Sequence, residues 1–356
     1  MSLQGQIDDL TLPAASAPYL LGGLGLDRSM LGIALRSATE GGKRFRPWLF
    51  TTAHAALASD ASPQVETDVL DRIGAAIELM HTAFVVHDDV IDNDDTRRGR
   101  TSVPGWFRGS TTSPSPEYPR AGAILTGDLA LAAAIRGIAT CGASPAVTTA
   151  LLDLFDATLR DSAVGELADV RFTLNGHLPT SDDALAVAEL KTAAYSFVLP
   201  LRAAAIVAGA NDDVVEQIGQ LGRHLGIAFQ LRDDLLGTFA ADTLGKDPDG
   251  DLREGKRTPL VVHAAASAHW SRIEPHLGDP DLTPAHADDV RRALVAAGSV
   301  QHVEGLVARH LRLARRHSAR LGLTETVVDP LTATWQPVPV DARIAASGSI
   351  STAGVA

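Results

Sequence analysis

Residues 69–99 read VLDRIGAAIELMHTAFVVHDDVIDNDDTRRG, and this stretch decides the fold class of the chain. Its apolar residues recur every three or four positions, which places them on one face of an α-helix. The predicted buried face consists of Val69, Ile73, Ile77, Met80 and Phe84. Because the acidic residues follow this pattern without a break, we expect them on the last turns of the same helix.

The end of this predicted helix carries three aspartates, and two arginines follow it. On a helix Asp88 and Asp92 stand one turn apart on one face, with Asp89 beside them. These carboxylates repel one another unless a cation joins them, and Mg²⁺ prefers a few carboxylates together with water and phosphate oxygens. Arg97 and Arg98 add planar guanidinium groups that fit phosphate. A solvated helix end could explain the acidic cluster alone, but acid and base together indicate a metal–diphosphate site.

A second acidic motif, FQLRDDLL at residues 229–236, ends another apolar helical pattern. Gln230 stands about one turn before the paired Asp233 and Asp234. One acidic helix end is commonly a surface feature, whereas two in one helical chain can face each other across a cavity. We therefore expect the two motifs to grip a diphosphate through divalent cations.

The composition favours a large helical protein and excludes several classes of partner. The 356 residues are 45% hydrophobic but only 4% aromatic, and alanine and leucine are abundant. The formal net charge of −12 argues against nonspecific binding to nucleic acid. The single cysteine, Cys141, rules out an internal disulfide and suits a reducing compartment. Because no apolar run reaches the roughly 18–20 residues of a membrane span, these features predict a soluble, cytoplasmic, all-α protein.

The helix-breaking residues predict one domain with irregular ends. Residues 1–25 are expected to form an N-terminal arm, and residues 327–356 an irregular or disordered tail. Between them, residues 26–326 are expected to form a single helical domain. Two polar segments, Gly109–Gly122 and Thr243–Gly255, are predicted to be loops that could cover a site.

Five motifs, in a fixed order, resemble those of the trans-isoprenyl diphosphate synthases, also called polyprenyl synthetases. They are GGKRFRP at 41–47, HTAFVVHDDVIDNDDTRRG at 81–99, KT at 191–192, FQLRDD at 229–234, and GK at 245–246 followed by DLREGKRT at 251–258. The resemblance implies the all-α isoprenoid-synthase fold, with antiparallel helices around a deep central cavity, and a homodimer. It also implies Mg²⁺-dependent head-to-tail condensation of isopentenyl diphosphate with dimethylallyl, geranyl or farnesyl diphosphate.

The resemblance also implies residue roles. The residues expected to hold isopentenyl diphosphate are Lys43, Arg46, His81 and Arg98. Those expected to hold the allylic diphosphate are Arg97, Lys191, Thr192, Gln230, Lys246 and Lys256. The expected catalytic set is Asp88, Asp89, Asp92, Lys191 and Asp233, of which Asp88, Asp92 and Asp233 are the metal ligands. With substrate bound, the implied cofactor is a set of three Mg²⁺ ions, for which Mn²⁺ could substitute.

One position departs from the family's pattern, and two others bear on product length. Gly237 stands where many members have a third aspartate in the second motif, so the metal grip there is either weaker or completed by water and by neighbours such as Lys246 and Asp251. Ala83 and Phe84, about one turn before Asp88, match the positions that limit chain length in the family. Their combination resembles that of producers of C20 geranylgeranyl diphosphate.

Several alternatives stay open at this stage. The product could be C15 farnesyl diphosphate or a longer polyprenyl diphosphate, and Phe84 could be ordinary core packing. A terpene cyclase of the same fold is disfavoured, because a cyclase has no use for the second diphosphate site indicated by residues 41–47 and the paired arginines. A non-catalytic regulatory subunit receives slight support from Gly237, whereas the intact first motif argues against it.

Overall fold

A computed structural model describes residues 2–11, 25–58, 65–97, 99–174, 178–240, 247, 249–335, 338 and 340. The described chain is almost entirely helical, which confirms the all-α prediction. The α-helices are α1 (Leu3–Thr11), α2 (Gly25–Thr39), α3 (Phe45–Leu57), α4 (Thr67–Ile91), α5 (Val103–Gly109), α6 (Glu117–Ala139), α7 (Pro145–Thr173), α8 (Ser181–Val187), α9 (Leu199–Val207), α10 (Asp212–Phe239), α11 (Gly250–Arg253), α12 (Pro259–Ala264), α13 (Pro284–Ala296), α14 (Ser299–Leu321) and α15 (Asp329–Ala333).

A few short elements complete the described structure. Two segments are π-helical, Ala188–Val198 and Thr324–Val328, and two single turns are 3₁₀-helical, Trp270–Arg272 and Glu274–His276. Strands β1 (Thr96–Arg97) and β2 (Arg100–Thr101) pair antiparallel directly after α4. This hairpin was not predicted, because two-residue strands carry no usable alternation of polar and apolar residues.

The chain divides into two compact units, and neither is continuous in sequence. The first unit comprises Met1–Thr158 and Tyr195–Gly219, and the second comprises Leu159–Ala194 and Gln220–Ala356. The single domain expected over residues 26–326 therefore contains parts of two units. Periodicity reports which face of a helix is buried but not which partner covers it, so this division was not visible in the sequence.

In the first unit α4 packs along α6, and α1 and α3 also contact α4. Three of the five residues in the predicted stripe, Ile73, Ile77 and Met80, are fully buried, while Val69 and Phe84 are half-buried. The expected N-terminal arm includes a packed helix, because Ile7 of α1 is fully buried. Leu10 of α1 comes so close to α6 that a Cβ atom on Gly137 would lie 2.9 Å from its Cδ1 atom. Glycine at 137 thus makes room for α1.

The second unit has its own apolar core, to which α10, α12, α13 and α14 contribute. Its fully buried members include Leu231, Leu260, Val290, Leu294 and Val303. Helix α12 packs against both α8 and α14. The described end of α10 is part of this core, so the helix end that carries the second acidic motif is held by packing on its other face.

Two predicted boundaries differ from the structure. Helix α6 begins at Glu117, so the second half of the expected loop Gly109–Gly122 is helical, with Pro119 in the first turn where its missing N–H costs nothing. The chain also stays helical through Ala333, with Val327 and Val328 fully buried, which corrects the irregular tail expected from residue 327. Residues 341–356 of that expected tail lie outside the described part of the chain.

Two helical stretches, Glu117–Ala139 and Ser181–Val207, are long and apolar enough to cross a membrane by length and composition. Half of the apolar window in each is buried inside the fold. A buried core helix of this length satisfies the same criteria, so the two stretches are weak evidence for a span.

Within the second unit, Gly165 of α7 lies directly against the backbone of the π-helical segment Ala188–Val198. A Cβ atom on Gly165 would lie 2.3 Å from the backbone nitrogen of Lys191 and 2.7 Å from the carbonyl carbon of Leu190. Both neighbours are backbone atoms, which cannot rotate away as a side chain could. Glycine at 165 therefore sets how closely α7 approaches the segment that carries Lys191.

We expect Gly165→Ala to lower the free energy of unfolding by about 2–3 kcal/mol, because the added methyl group has to push two backbones apart. The matched control is Gly305→Ala on α14, where nothing lies within 4 Å of the added Cβ atom. That substitution should raise the free energy of unfolding by about 0.5–1 kcal/mol, because alanine favours the helix. Urea denaturation followed by circular dichroism measures both, and equal effects of the two substitutions would contradict the close approach.

Candidate active site

The basic segment at residues 41–46 links α2 to α3 in the first unit. Gly41 and Gly42 have φ angles of 76° and 77°, in the left-handed region that glycine adopts without strain. Lys43 is exposed, whereas Arg46 is half-buried. The Nη2 atom of Arg46 donates a hydrogen bond to Ser196 Oγ over 2.7 Å. The tight turn thus presents Lys43 to solvent and anchors Arg46 in the fold.

Tyr195 joins three of the predicted site residues in one aromatic cluster. The guanidinium carbon of Arg46 lies 5.0 Å from the centre of the Tyr195 ring. The imidazole of His81 stacks on the same ring, with centroids 5.7 Å apart and planes at 18°. Phe84 packs against it at 4.9 Å and 59°. Tyr195 was not predicted as a site residue, although the chain has only three tyrosines and this one follows Lys191 by about one turn.

The first acidic motif occupies the C-terminal end of α4, as predicted. Asp92 is the C-cap residue, and its N–H donates to the carbonyl oxygen of Asp88 over 2.8 Å. Arg97, on β1, donates its Nε to Asp89 Oδ1 and its Nη2 to Asp88 Oδ2. Burial raises the pKa of Asp89 to about 6, although the charge of Arg97 opposes this rise. The guanidinium therefore compensates two carboxylates that the helix end brings together.

The hairpin after α4 places Arg97 beside the motif. Thr96 pairs with Thr101 and Arg97 with Arg100, and Gly99 has a φ of 72°. Arg98, expected to hold isopentenyl diphosphate, lies outside the described residues. Arg97 was expected at the allylic diphosphate and is found bonded to the aspartates, a position next to any metal that they would bind.

In the second unit Lys191 is held by two carboxylates from α7. Its Nζ atom lies 3.0 Å from Glu166 Oε1 and 2.8 Å from Asp169 Oδ2. The two acids are three residues apart and so share one face of α7. Neither acid was predicted as a site residue, because two acids on a helix surface are common and their partner is distant in sequence.

Thr192 and Gln230, both expected near the allylic diphosphate, contact each other. The Thr192 hydroxyl donates to Gln230 Oε1 over 2.6 Å, and Gln230 Nε2 donates to Asp234 Oδ1 over 2.7 Å. Burial raises the pKa of Asp234 to about 8, and the hydrogen bond from Gln230 partly offsets this effect. Asp233, the predicted ligand, is half-buried on the same helix. The two aspartates thus differ: Asp234 is tied into the fold, and Asp233 is the more accessible one.

A residue of α11 fills the space beside Gly237, where a third aspartate of the second acidic motif would stand. A Cβ atom on Gly237 would lie 2.7 Å from Asp251 Oδ2, so the Asp251 carboxylate occupies that space. The expectation that Asp251 helps to complete the metal grip of the second motif stays a prediction. Lys256 forms an ion pair with Glu254, with Nζ and Oε2 2.7 Å apart. Lys246 lies outside the described residues.

The donor groups fit Mg²⁺ only if substrate supplies part of the coordination shell. Among the described residues, no three His, Cys, Asp or Glu side chains lie close enough to hold a metal by themselves. Mg²⁺ typically keeps several waters and takes one or two carboxylates together with phosphate oxygens. Asp88 and Asp92 in the first unit and Asp233 in the second are each half-buried carboxylates, the type of ligand that Mg²⁺ takes in this way.

The comparisons with known proteins identify the family. The polyprenyl synthetase family model matches residues 28–294. A geranylgeranyl diphosphate synthase of Methanosarcina mazei is 29% identical, over 76% of this chain and 77% of its own. A geranylfarnesyl diphosphate synthase of Aeropyrum pernix is 32% identical, over 80% of this chain and 85% of its own. A nonaprenyl diphosphate synthase of Mycobacterium tuberculosis is 29% identical, over 83% and 82%.

Solved structures give the same result. A geranylgeranyl pyrophosphate synthase of Corynebacterium glutamicum, complexed with isoprenyl diphosphate and magnesium, superposes with a TM-score of 0.76 at 26% identity, covering 97% of this chain and 94% of that one. A polyprenyl synthase of Caulobacter crescentus, complexed with calcium and isoprenyl diphosphate, has a TM-score of 0.71 at 25% identity, covering 89% and 87%. The chain belongs to the polyprenyl synthetase family of trans-isoprenyl diphosphate synthases, and it is a trans-prenyltransferase.

Proposed function

We propose that the protein condenses isopentenyl diphosphate head-to-tail with an allylic diphosphate, in a Mg²⁺-dependent reaction, and releases mainly C20 geranylgeranyl diphosphate. The observation that supports this proposal is that α4 carries residues of two chemically different sites, one basic and one acidic. His81 lies in the cluster with Arg46, and Asp88 lies seven residues later, about 10 Å along the helix. A basic locus suits one diphosphate directly, and an acidic one suits a second diphosphate through metal.

The proposed roles follow from this separation. Isopentenyl diphosphate is held by Lys43, Arg46, His81 and Arg98. The metal ligands are Asp88, Asp92 and Asp233, with three Mg²⁺ ions bound together with substrate and Mn²⁺ as a possible substitute. The rest of the allylic diphosphate's charge is taken by Arg97, Lys191, Lys246 and Lys256, and Thr192 and Gln230 line the same pocket.

The chain's own groups prepare the ionisation of the allylic C–O bond. When bound, the metal would supply positive charge to the leaving diphosphate. Arg97 and Lys191 are already fixed by carboxylates, so their charges need little reorganisation when negative charge develops. Lys43 and Arg46 hold the second substrate so that its double bond meets the allylic cation. The released diphosphate then takes the proton that leaves the new product.

Product length is proposed to depend on the side chains one turn before the first acidic motif. Ala83 is fully buried and small, whereas Phe84 is half-buried and packs on Tyr195. In this proposal the two rings form a bulky floor toward which the hydrocarbon tail descends. Because the relatives include synthases named for different products, the C20 product is the finer part of the proposal, with farnesyl and longer products as its alternatives.

A homodimer is proposed through the outer face of α6. Leu125, Leu129 and Ile135 on this helix are 49%, 45% and 42% exposed, although the opposite face of α6 is buried against α4. Exposure of such an apolar stripe to water is unfavourable. The same helix of a second copy could cover it in an isologous contact.

We expect Asp88→Ala to lower kcat by about 10²–10³-fold while the fold stays intact, because the substitution removes a charged group and no core packing. The assay supplies labelled isopentenyl diphosphate with each allylic starter in Mg²⁺ and sizes the products by chromatography. Asp71→Ala, which removes another carboxylate from α4, is the control and should retain activity. Unchanged turnover of Asp88→Ala would refute the site, and absence of elongation by the unaltered protein with every starter would favour a cyclase or a regulatory subunit.

Phe84→Ala should shift the product to longer chains, because it removes the ring that packs against Tyr195 and lowers the proposed floor. The control is Val85→Ala, which removes side-chain volume at the next position on a different face of α4. Its product should stay the same as that of the unaltered protein. If Phe84→Ala releases products of unaltered length, Phe84 is core packing and has no part in chain-length control.

A further inference from the structure

Arg44 lies between Lys43 and Arg46 in the basic segment, and it has a backbone conformation that contacts of its side chain must maintain. Among the described non-glycine residues, only Arg44 and Asn93 have a positive φ, and that of Arg44 is 48°. The left-handed region costs a residue with a Cβ atom about 1 kcal/mol or more, so it persists only where surrounding contacts impose it. With Gly41 and Gly42, three of the four residues before Phe45 are left-handed.

Three elements hold the guanidinium of Arg44 inside the first unit. Its Nη1 atom donates to Glu78 Oε1 on α4 over 3.1 Å, and its Nη2 atom donates to Gln4 Oε1 on α1 over 2.6 Å. The Nη2 atom also donates to the carbonyl oxygen of Thr39 at the end of α2. The guanidinium of Arg44 is therefore bound within the fold, whereas Lys43 beside it is exposed.

The partner carboxylate is buried at a cost that stability alone does not explain. The Glu78 side chain is only 8% exposed, and its Oε2 atom has no hydrogen-bond partner among the described residues. A buried ion pair with an unsatisfied oxygen is a poor source of stability, since apolar residues of similar volume commonly do as well or better. Glu78 also lies three residues before His81 on the same helix, so the pair joins the basic segment to the turn that carries His81.

We propose that Arg44 and Glu78, supported by Gln4 of α1, are positioning residues for the isopentenyl diphosphate pocket. By drawing Arg44 inward, Glu78 fixes the left-handed turn and so places Lys43 and Arg46 on either side of it. Like charges at three of four neighbouring positions would otherwise repel one another and spread the segment. This inference rests on the proposed function, because it assigns the two outer cations to the second substrate.

The test is Glu78→Gln, which keeps the shape of the side chain and removes its charge. The KM for isopentenyl diphosphate should rise about tenfold, while kcat at saturation and the KM for the allylic diphosphate stay within about twofold. A merely structural role would instead lower the active fraction and thus kcat, without a selective change in one KM. An unchanged KM for isopentenyl diphosphate, with an active enzyme, would overturn this inference alone.

The matched control is Arg72→Gln. Arg72 also joins α4 to α1, through Asp9 at 3.0 Å and Gln6 at 3.2 Å, but it does not contact the basic segment. Its substitution should leave both KM values unchanged, and a tenfold rise there would show that any loosening of α1 has the same effect. If Glu78→Gln does not fold, Gln4→Ala removes only the exposed contact from α1 and should raise the same KM by about twofold to threefold. An unaltered protein that elongates no substrate would overturn the proposed function and this inference together.

Discussion

Helices of this protein bring pairs of carboxylates close together, and a cationic side chain must compensate the charge of each pair. The proposed active site depends on this compensation. In the first unit Arg97 donates to both Asp88 and Asp89, and in the second unit Lys191 lies between Glu166 and Asp169. Each group has two acids for one cation and so retains negative charge. At the first acidic motif, the proposed Mg²⁺ would supply the positive charge that Arg97 leaves uncompensated.

Small residues make these charged groups possible by allowing backbones to meet. Gly165 brings α7 against the backbone nitrogen of Lys191, and Gly41 and Gly42 form the turn with which the basic segment begins. The π-helical segment Ala188–Val198 carries both Lys191 and Tyr195, and its wider turn is a feature found frequently at functional sites. Close approaches and tight turns of the backbone thus place the site side chains next to their partners.

Sequence reasoning predicted the local features well, because they depend on residues close in the chain. The buried face of α4 and the acidic end of that helix belong to this group. The long-range partners were not predictable. Tyr195 meets His81, Lys191 meets Glu166, and Arg44 turns toward Glu78 only once the helices have packed, and no local pattern encodes those meetings. The motif comparison could name Lys191 but not the acids that hold it.

The proposed function requires above all that the first acidic motif bind diphosphate through a divalent cation. Isothermal titration with inorganic diphosphate, with and without Mg²⁺, measures this directly and needs no turnover. We expect Mg²⁺ to tighten diphosphate binding at least tenfold, which is about 1.4 kcal/mol, and Asp92→Asn to remove most of that gain. Equal affinity for diphosphate with and without Mg²⁺, or a full Mg²⁺-dependent gain in Asp92→Asn, would contradict binding of diphosphate through a cation at the first acidic motif.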